Sequence, residues 1–177
     1  MSPEYSPFSD IKLFLNSWPK MAGRIVVGLQ DWFMSVKPIR DGFHTITPYL
    51  AVQNAPRLIE FLSAAFGGEL LNRMSRPDGA LMHAEMRIDD SMVMMGEAAG
   101  EFGPMPTSIY LYVPDCDAVY QKAVAAGGTA ISPVRDMPSG ERYGGIKDPC
   151  GNIWWVATHV ADLSAEEQEK RWKDFKR

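Results

Sequence analysis

Cysteine and histidine are scarce in this chain, at 2 and 3 among 177 residues. Two cysteines, Cys116 and Cys150, cannot build the disulfide framework of a small secreted domain, and they fit a reducing compartment. Basic residues are not in excess. The 18 Lys and Arg stand against 22 Asp and Glu, a net charge of -4 that offers nucleic acid no positive footprint. Long apolar runs are missing too. The strongest one near the start, around Ile25-Val26-Val27, is broken by Gly28, Gln30 and Asp31, well short of the roughly 20 residues a membrane helix needs. It also lacks the basic start and small-residue cleavage site of a secretion signal. The expectation is a cytoplasmic protein with neither a membrane nor a nucleic-acid partner.

What is present is globular in character. A hydrophobic fraction of 46% with 23% charged residues suits a folded core rather than a disordered chain, and the length allows two small modules to share that core. Residues 1–40 read differently from the rest. Trp18 before Pro19, Trp32 and two short amphipathic stretches, Ile11–Leu15 and Ile25–Phe33, point either to an arm packed on the body or to a loose extension. Acidic Glu4, Asp10 and Asp31 argue against a mitochondrial transit peptide.

From Gly42 onward an internal repeat organises the chain. Tyr49-Leu50-Ala51-Val52-Gln53-Asn54 leads into a helical run ending Ala64-Ala65-Phe66-Gly67-Gly68. Further on, Tyr110-Leu111-Tyr112-Val113-Pro114-Asp115 leads into another, ending Ala125-Ala126-Gly127-Gly128. Each copy reads as a strand, an N-cap (Asn54, Asp115), a helix and a glycine C-cap. Three extended segments follow each helix. They are Glu69–Met74, Leu81–Ile88 and Ser91–Met95 in the first copy, then Thr129–Val134, Arg142–Lys147 and Asn152–Thr158 in the second. The fold class is therefore α+β, with βαβββ modules at 41–100 and 105–162 forming one domain, 41–162. A polar helix over 163–177 closes the chain, with Ser164 and Glu167 as its capping box. One helix per module leaves one sheet face bare. Pairing the modules would curve their strands into a mixed sheet around a cleft.

Strand alternation assigns the faces. Ile46, Leu50 and Val52 suit the helix side, which leaves Thr45, Thr47 and Tyr49 for the cleft. Met82, Ala84, Met86 and Ile88 form an apolar set, so His83, Glu85 and Arg87 share the opposite face. In the second module Ser108, Tyr110 and Tyr112 face the cleft. The run Ile153-Trp154-Trp155-Val156 is apolar throughout, and its alternation is undecided.

These residues resemble a known family. The tandem repeat and the turn Asp148-Pro149-Cys150-Gly151-Asn152 are similar to those of the vicinal oxygen chelate superfamily, the fold of glyoxalase I and the bleomycin resistance proteins. More narrowly, Tyr49-Leu50-Ala51-Val52, His83-Ala84-Glu85-Met86-Arg87-Ile88 and Trp154-Trp155-Val156-Ala157-Thr158-His159-Val160 resemble its PhnB-type branch. The resemblance runs from about Lys37 to Arg171 and implies a homodimer. It does not fix an activity, because this fold hosts metal-dependent isomerases, dioxygenases, epimerases, thiol transferases and metal-free drug-sequestering proteins. Metal enzymes of the superfamily take one ligand from each of four strands. By resemblance those positions fall on Thr47, Met94, Ser108 and Trp155, none of them His, Glu, Asp or Cys, so no metal is expected there.

Several side chains then compete for a role. His83 and Glu85, two apart on one strand face, could act as a catalytic base pair or bind a divalent metal unconventionally; equally, they could only hydrogen-bond at the cleft rim. His44 and His159 suit surface positions. Tyr49, Tyr110, Tyr112 and Trp155 suit the wall of a site for a small, partly aromatic organic ligand, with Trp154 in the core. The glycine-rich Pro138–Gly145 reads as a lid bringing Arg142 or Tyr143 to an anion, or as a simple mobile loop. Cys116 and Cys150 lack a neighbouring base and are not expected to be nucleophiles. The first functional expectation is a metal-free small-molecule-binding protein, as the drug-sequestering relatives are, lined by Thr47, Tyr49, Met94, Ser108, Tyr110, Arg142, Tyr143 and Trp155, with no cofactor. The alternative is a lyase, isomerase or dioxygenase-like enzyme using His83 and Glu85, with or without a divalent metal. A third is an interaction module built on the arm.

Overall fold

The computed structural model describes residues 36–175. The stretches Ile11–Leu15 and Ile25–Phe33 lie outside them, so the expectation of an arm is not addressed. The chain divides between Arg40 and Asp41 into two units, and the second carries everything below.

The elements are β1 (Tyr49–Val52), α1 (Ala55–Phe66), β2 (Glu69–Ser75), β3 (Leu81–Ile88), β4 (Ser91–Glu97), β5 (Ser108–Tyr112), α2 (Cys116–Ala125), β6 (Thr129–Asp136), β7 (Glu141–Lys147), β8 (Ile153–His159) and α3 (Ala165–Asp174). Two βαβββ modules result, as the repeat predicts. Their sheets run β1-β4-β3-β2 and β5-β8-β7-β6. Each is mixed, with one parallel pair, β1 on β4 or β5 on β8, and antiparallel pairs otherwise. No described helix is long and apolar enough to cross a membrane.

The modules meet through their helices. Phe66 on α1 packs its ring 4.9 Å from that of Trp154 on β8, and a Cβ at Gly128, just past α2, would lie 3.1 Å from Phe61. Leu50, Val52, Ala84, Met86 and Met95 from the first sheet and Ile146, Trp154 and Val156 from the second thus join one core. The two sheets remain separate four-stranded units, and their helix-free faces stay open. Tyr49, Tyr110 and Tyr112 on those faces are 50%, 43% and 60% exposed.

Local chemistry explains the elements and departs from the sequence reading in places. Asp115 caps α2 by accepting from the Ala118 N–H at 3.0 Å, and Ser164 and Glu167 form the expected capping box on α3. Asn54 does not cap α1. Its backbone is left-handed and its side chain caps nothing. Glu97, at the end of β4, instead accepts from the Asn54 and Ala55 N–H groups at 2.7 and 2.9 Å, placing a carboxylate at a helix N-terminus, where the dipole favours it. Glu97→Ala is therefore expected to cost about 1–2 kcal/mol of stability, the usual worth of a lost cap, measurable by urea unfolding.

Ile46 and Met82 also depart from the alternation pattern. The first strand starts only at Tyr49, after Pro48, which has no N–H for a ladder, and Ile46 is 86% exposed. A register shift between Met74 and Ser75 puts Leu81 in the core and leaves Met82 42% exposed.

The turn from β7 to β8 is organised by one buried carboxylate. Asp148 accepts from the N–H groups of Cys150 and Asn152 at 2.8 and 3.0 Å through Oδ1. Its Oδ2 accepts from the Asn152 amide at 2.8 Å and the Trp154 indole at 2.9 Å. Asn152 passes the network on, its Oδ1 accepting from the Thr107 N–H at 3.1 Å.

Candidate functional site

The open face of each sheet follows from strand register. On the first, Tyr49, Met94 and Glu85 lie in one row across β1, β4 and β3, and His83 lies on the same face one pleat along β3. His83 Nε2 is 3.1 Å from Glu85 Oε1, and the two side chains are 23% and 9% exposed. The Tyr49 ring stacks on the imidazole, with centroids 6.0 Å apart and planes 21° apart. A Cβ at Gly96 would come within 2.5 Å of the Tyr49 hydroxyl, so only glycine lets that phenol lie down on the sheet. A hollow of about 530 Å³ opens beside it, lined by Tyr49, Ala51, Arg76, Met82 and the connector residues Phe102 and Met105. The His83–Glu85 pair expected from alternation is thus formed.

The second sheet uses the same device with larger rings. Tyr110, Trp155 and Gly145 share a row, and Tyr112, Ala157 and Tyr143 the next. A Cβ at Gly145 would meet the Trp155 ring at 2.7 Å, so the indole covers the glycine. Its Nε1–H donates to Ser108 Oγ at 3.1 Å. Tyr143 stands edge-on to Trp155 at 5.6 Å and to Tyr110 at 5.8 Å, and Tyr110 lies 5.1 Å from Tyr112. Burial, then the neighbouring Tyr112, Glu141 and Tyr143, push the Tyr110 phenol up to about 12, so it is a neutral hydroxyl at physiological pH. Trp154, with opposite parity, is buried in the core. That resolves the undecided alternation of β8.

A second hollow of about 440 Å³ lies between the modules, bordered by His44, Ile46 and Pro48 on one side and Ile109–Tyr112 on the other.

The segment Pro138–Gly145 is not a lid. Glu141 onward is strand β7, and its glycines serve close packing: a Cβ at Gly144 would meet the Tyr120 ring at 2.8 Å. Tyr143 lies on the open face as described. Arg142 has the opposite parity and is held on the helix side, its guanidinium donating to Asp117 at 2.7 and 2.9 Å and to Asp136 at 2.9 Å. Those carboxylates hold its pKa above the ordinary arginine value, and Asp117 is lowered in turn, chiefly by its hydrogen bond with Arg142. Arg142 is a structural clamp between α2 and β6, committed away from the open face.

The donors at the four family ligand positions do not suit a divalent ion. The Thr47 hydroxyl donates to the His44 carbonyl at 3.0 Å, and the Trp155 indole nitrogen has no lone pair to offer. Met94 presents a thioether, which is a soft ligand. Among the described residues, no group of three or more His, Cys, Asp or Glu side chains is placed to hold an ion. Cys116 is buried, and burial, reinforced by Asp148 and Glu97, pushes the Cys150 thiol up to about 11.

Comparison with known proteins agrees with this architecture. The Glyoxalase/Bleomycin resistance protein/Dioxygenase superfamily model matches residues 42–156. An uncharacterized Mycobacterium tuberculosis protein, Rv0887c, is 33% identical over 133 residues, 69% of this chain and 78% of its own. Its Mycobacterium bovis counterpart, Mb0911c, is also 33% identical, over 88% of its length and 69% of this chain. TioX from Micromonospora sp. ML1 superposes with a TM-score of 0.58 at 24% identity, covering 66% of this chain and 99% of TioX. The PhnB protein from Bacillus cereus gives 0.54 at 19%, covering 65% and 99%. These two structures speak for the fold. The chain is a member of the glyoxalase/bleomycin resistance protein/dioxygenase superfamily.

Proposed function

We propose that this chain is a metal-free small-molecule-binding protein, acting in the cytoplasm as a homodimer and holding a flat, partly aromatic ligand against the open face of its second sheet. The observation that carries the reading is the ring cluster of Tyr110, Tyr143 and Trp155 on that face, with Gly145 clearing the space under the indole. Rings fixed at angles to one another offer both faces and edges to a flat guest, at little cost in side-chain entropy. Tyr49, Tyr110 and Tyr112 are about half exposed in a single chain, more aromatic surface than an isolated face usually leaves bare. That exposure supports a second copy closing over the bound ligand. Two free cysteines and no disulfide suit a reducing compartment.

The test is calorimetric titration of the full chain with a panel of flat organic molecules. The reading expects saturable binding, with the ligand recovered unchanged. A panel without saturable binders, or steady conversion of one of its members, contradicts it.

A second reading has its own observation. The Glu85 side chain is only 9% exposed and sits 3.1 Å from His83, and a buried carboxylate beside an imidazole can serve as an acid–base pair. On that reading the protein turns over a substrate, and His83→Ala abolishes turnover while leaving the fold intact.

A further inference from the structure

The aromatic face of the second sheet also carries a charge. Glu141 lies on β7 two residues before Tyr143 and shares its face, paired in register with His159 on β8. Its side chain is 18% exposed. Four rings and one largely covered carboxylate therefore occupy a single open surface, where Tyr112 and Tyr143 flank Ala157 from the two neighbouring strands.

The arginines and the lysine of this sheet are engaged elsewhere, and its histidine, His159, pairs with Asp162 as well as with Glu141. Arg142 is held on the other face by Asp117 and Asp136. The Arg135 guanidinium lies over the Phe175 ring at 5.2 Å from its centroid. His159 is nearer to Asp162, at 3.0 Å, than to Glu141, at 3.8 Å. Lys147 is at the far end of β7, roughly 20 Å from Glu141 at about 3.3 Å per residue.

Ring faces carry negative electrostatic potential, and they attract a desolvated cation strongly where several converge. A neutral guest covering this surface would take Glu141 further from water and give it nothing in return. An anion would meet both the ring faces and the carboxylate. The raised pKa of the Tyr110 phenol, to which Glu141 contributes, reports the same local sign: a further negative charge is disfavoured here.

We infer that this face recognises a cation, so that the ligand is an organic ammonium or N-alkylated aromatic cation. Its charge lies among Tyr110, Tyr112 and Tyr143 beside Glu141, and its flat part rests on Trp155. This rests on the proposed function and narrows it to a ligand class.

The experiment compares three probes of similar shape on the full chain by calorimetry at neutral pH. N-methylquinolinium carries the charge, quinoline is neutral, and naphthalene-2-carboxylate is the anion. The expected order is N-methylquinolinium at least about tenfold tighter than quinoline, within the range of a desolvated cation–π site, with the anion weakest. Glu141→Gln should remove most of that preference by weakening the cation far more than quinoline, and added salt should weaken the cation alone. If Glu141→Gln fails to fold by circular dichroism, Tyr112→Leu serves instead, since that side chain is 60% exposed, and it should likewise weaken the cation more than quinoline. Quinoline or the anion binding as tightly as the cation overturns the inference but leaves the binding function standing. Failure of all three to bind overturns both.

Discussion

Replacing Asp148 by alanine is expected to destabilise the protein by about 3–5 kcal/mol. The carboxylate is 4% exposed and accepts four hydrogen bonds, from two backbone N–H groups, the Asn152 amide and the Trp154 indole. Alanine leaves those donors without their acceptor, and each orphaned donor costs about 1–3 kcal/mol, less than additively. The loss reaches past the turn, because Trp154 meets Phe66 of the other module. Asp148→Asn keeps the volume but turns a donor toward donors, so its cost should be smaller yet still measurable. Urea unfolding at neutral pH reads both. A loss below about 1 kcal/mol for alanine would mean the turn relaxes to satisfy its donors another way.

The second large effect separates two adjacent tryptophans. Trp155→Leu is expected to weaken binding of a flat ligand by about 30-fold, the scale of an interface anchor worth about 2 kcal/mol, with little change in unfolding. Trp154→Leu should do the reverse. It empties space in a fully buried position and abandons the Asp148 hydrogen bond, costing about 3–5 kcal/mol, while the fraction that stays folded binds normally. Calorimetric titration paired with thermal unfolding of both variants distinguishes them. Equal losses of affinity would argue that the ligand does not lie on the second sheet's open face.

Much of this was legible in the sequence because it depends on local periodicity. The repeat announced two modules, and alternation along β3 put His83 and Glu85 on one face. For Trp154 and Trp155 alternation could not choose, since both neighbours are apolar, and only pairing with Ile109 and Tyr110 fixes their directions. The features that escaped depend on partners distant in the chain or on small irregularities. Asn54 has the residue type of a cap, but a carboxylate 43 residues away takes the role. Met82 fits the apolar pattern, but it is the extra residue of a bulge, which shifts the parity. In Pro138–Gly145 the glycines suggested mobility. Gly144 and Gly145 sit instead within the strand that the extended segment Arg142–Lys147 also predicted, where rings of Tyr120 and Trp155 come too close for any side chain. Arg142 followed from the same misreading: within a strand it must point opposite to Tyr143, toward Asp117.

The claim that the site works without metal is tested most directly by elemental analysis of untagged protein purified without chelator. With Thr47, Met94, Ser108 and Trp155 at the family ligand positions, transition metal is expected well below one ion per chain. A content near one ion per chain that disappears in His83→Ala would contradict it and make the His83–Glu85 pair the heart of a metalloenzyme.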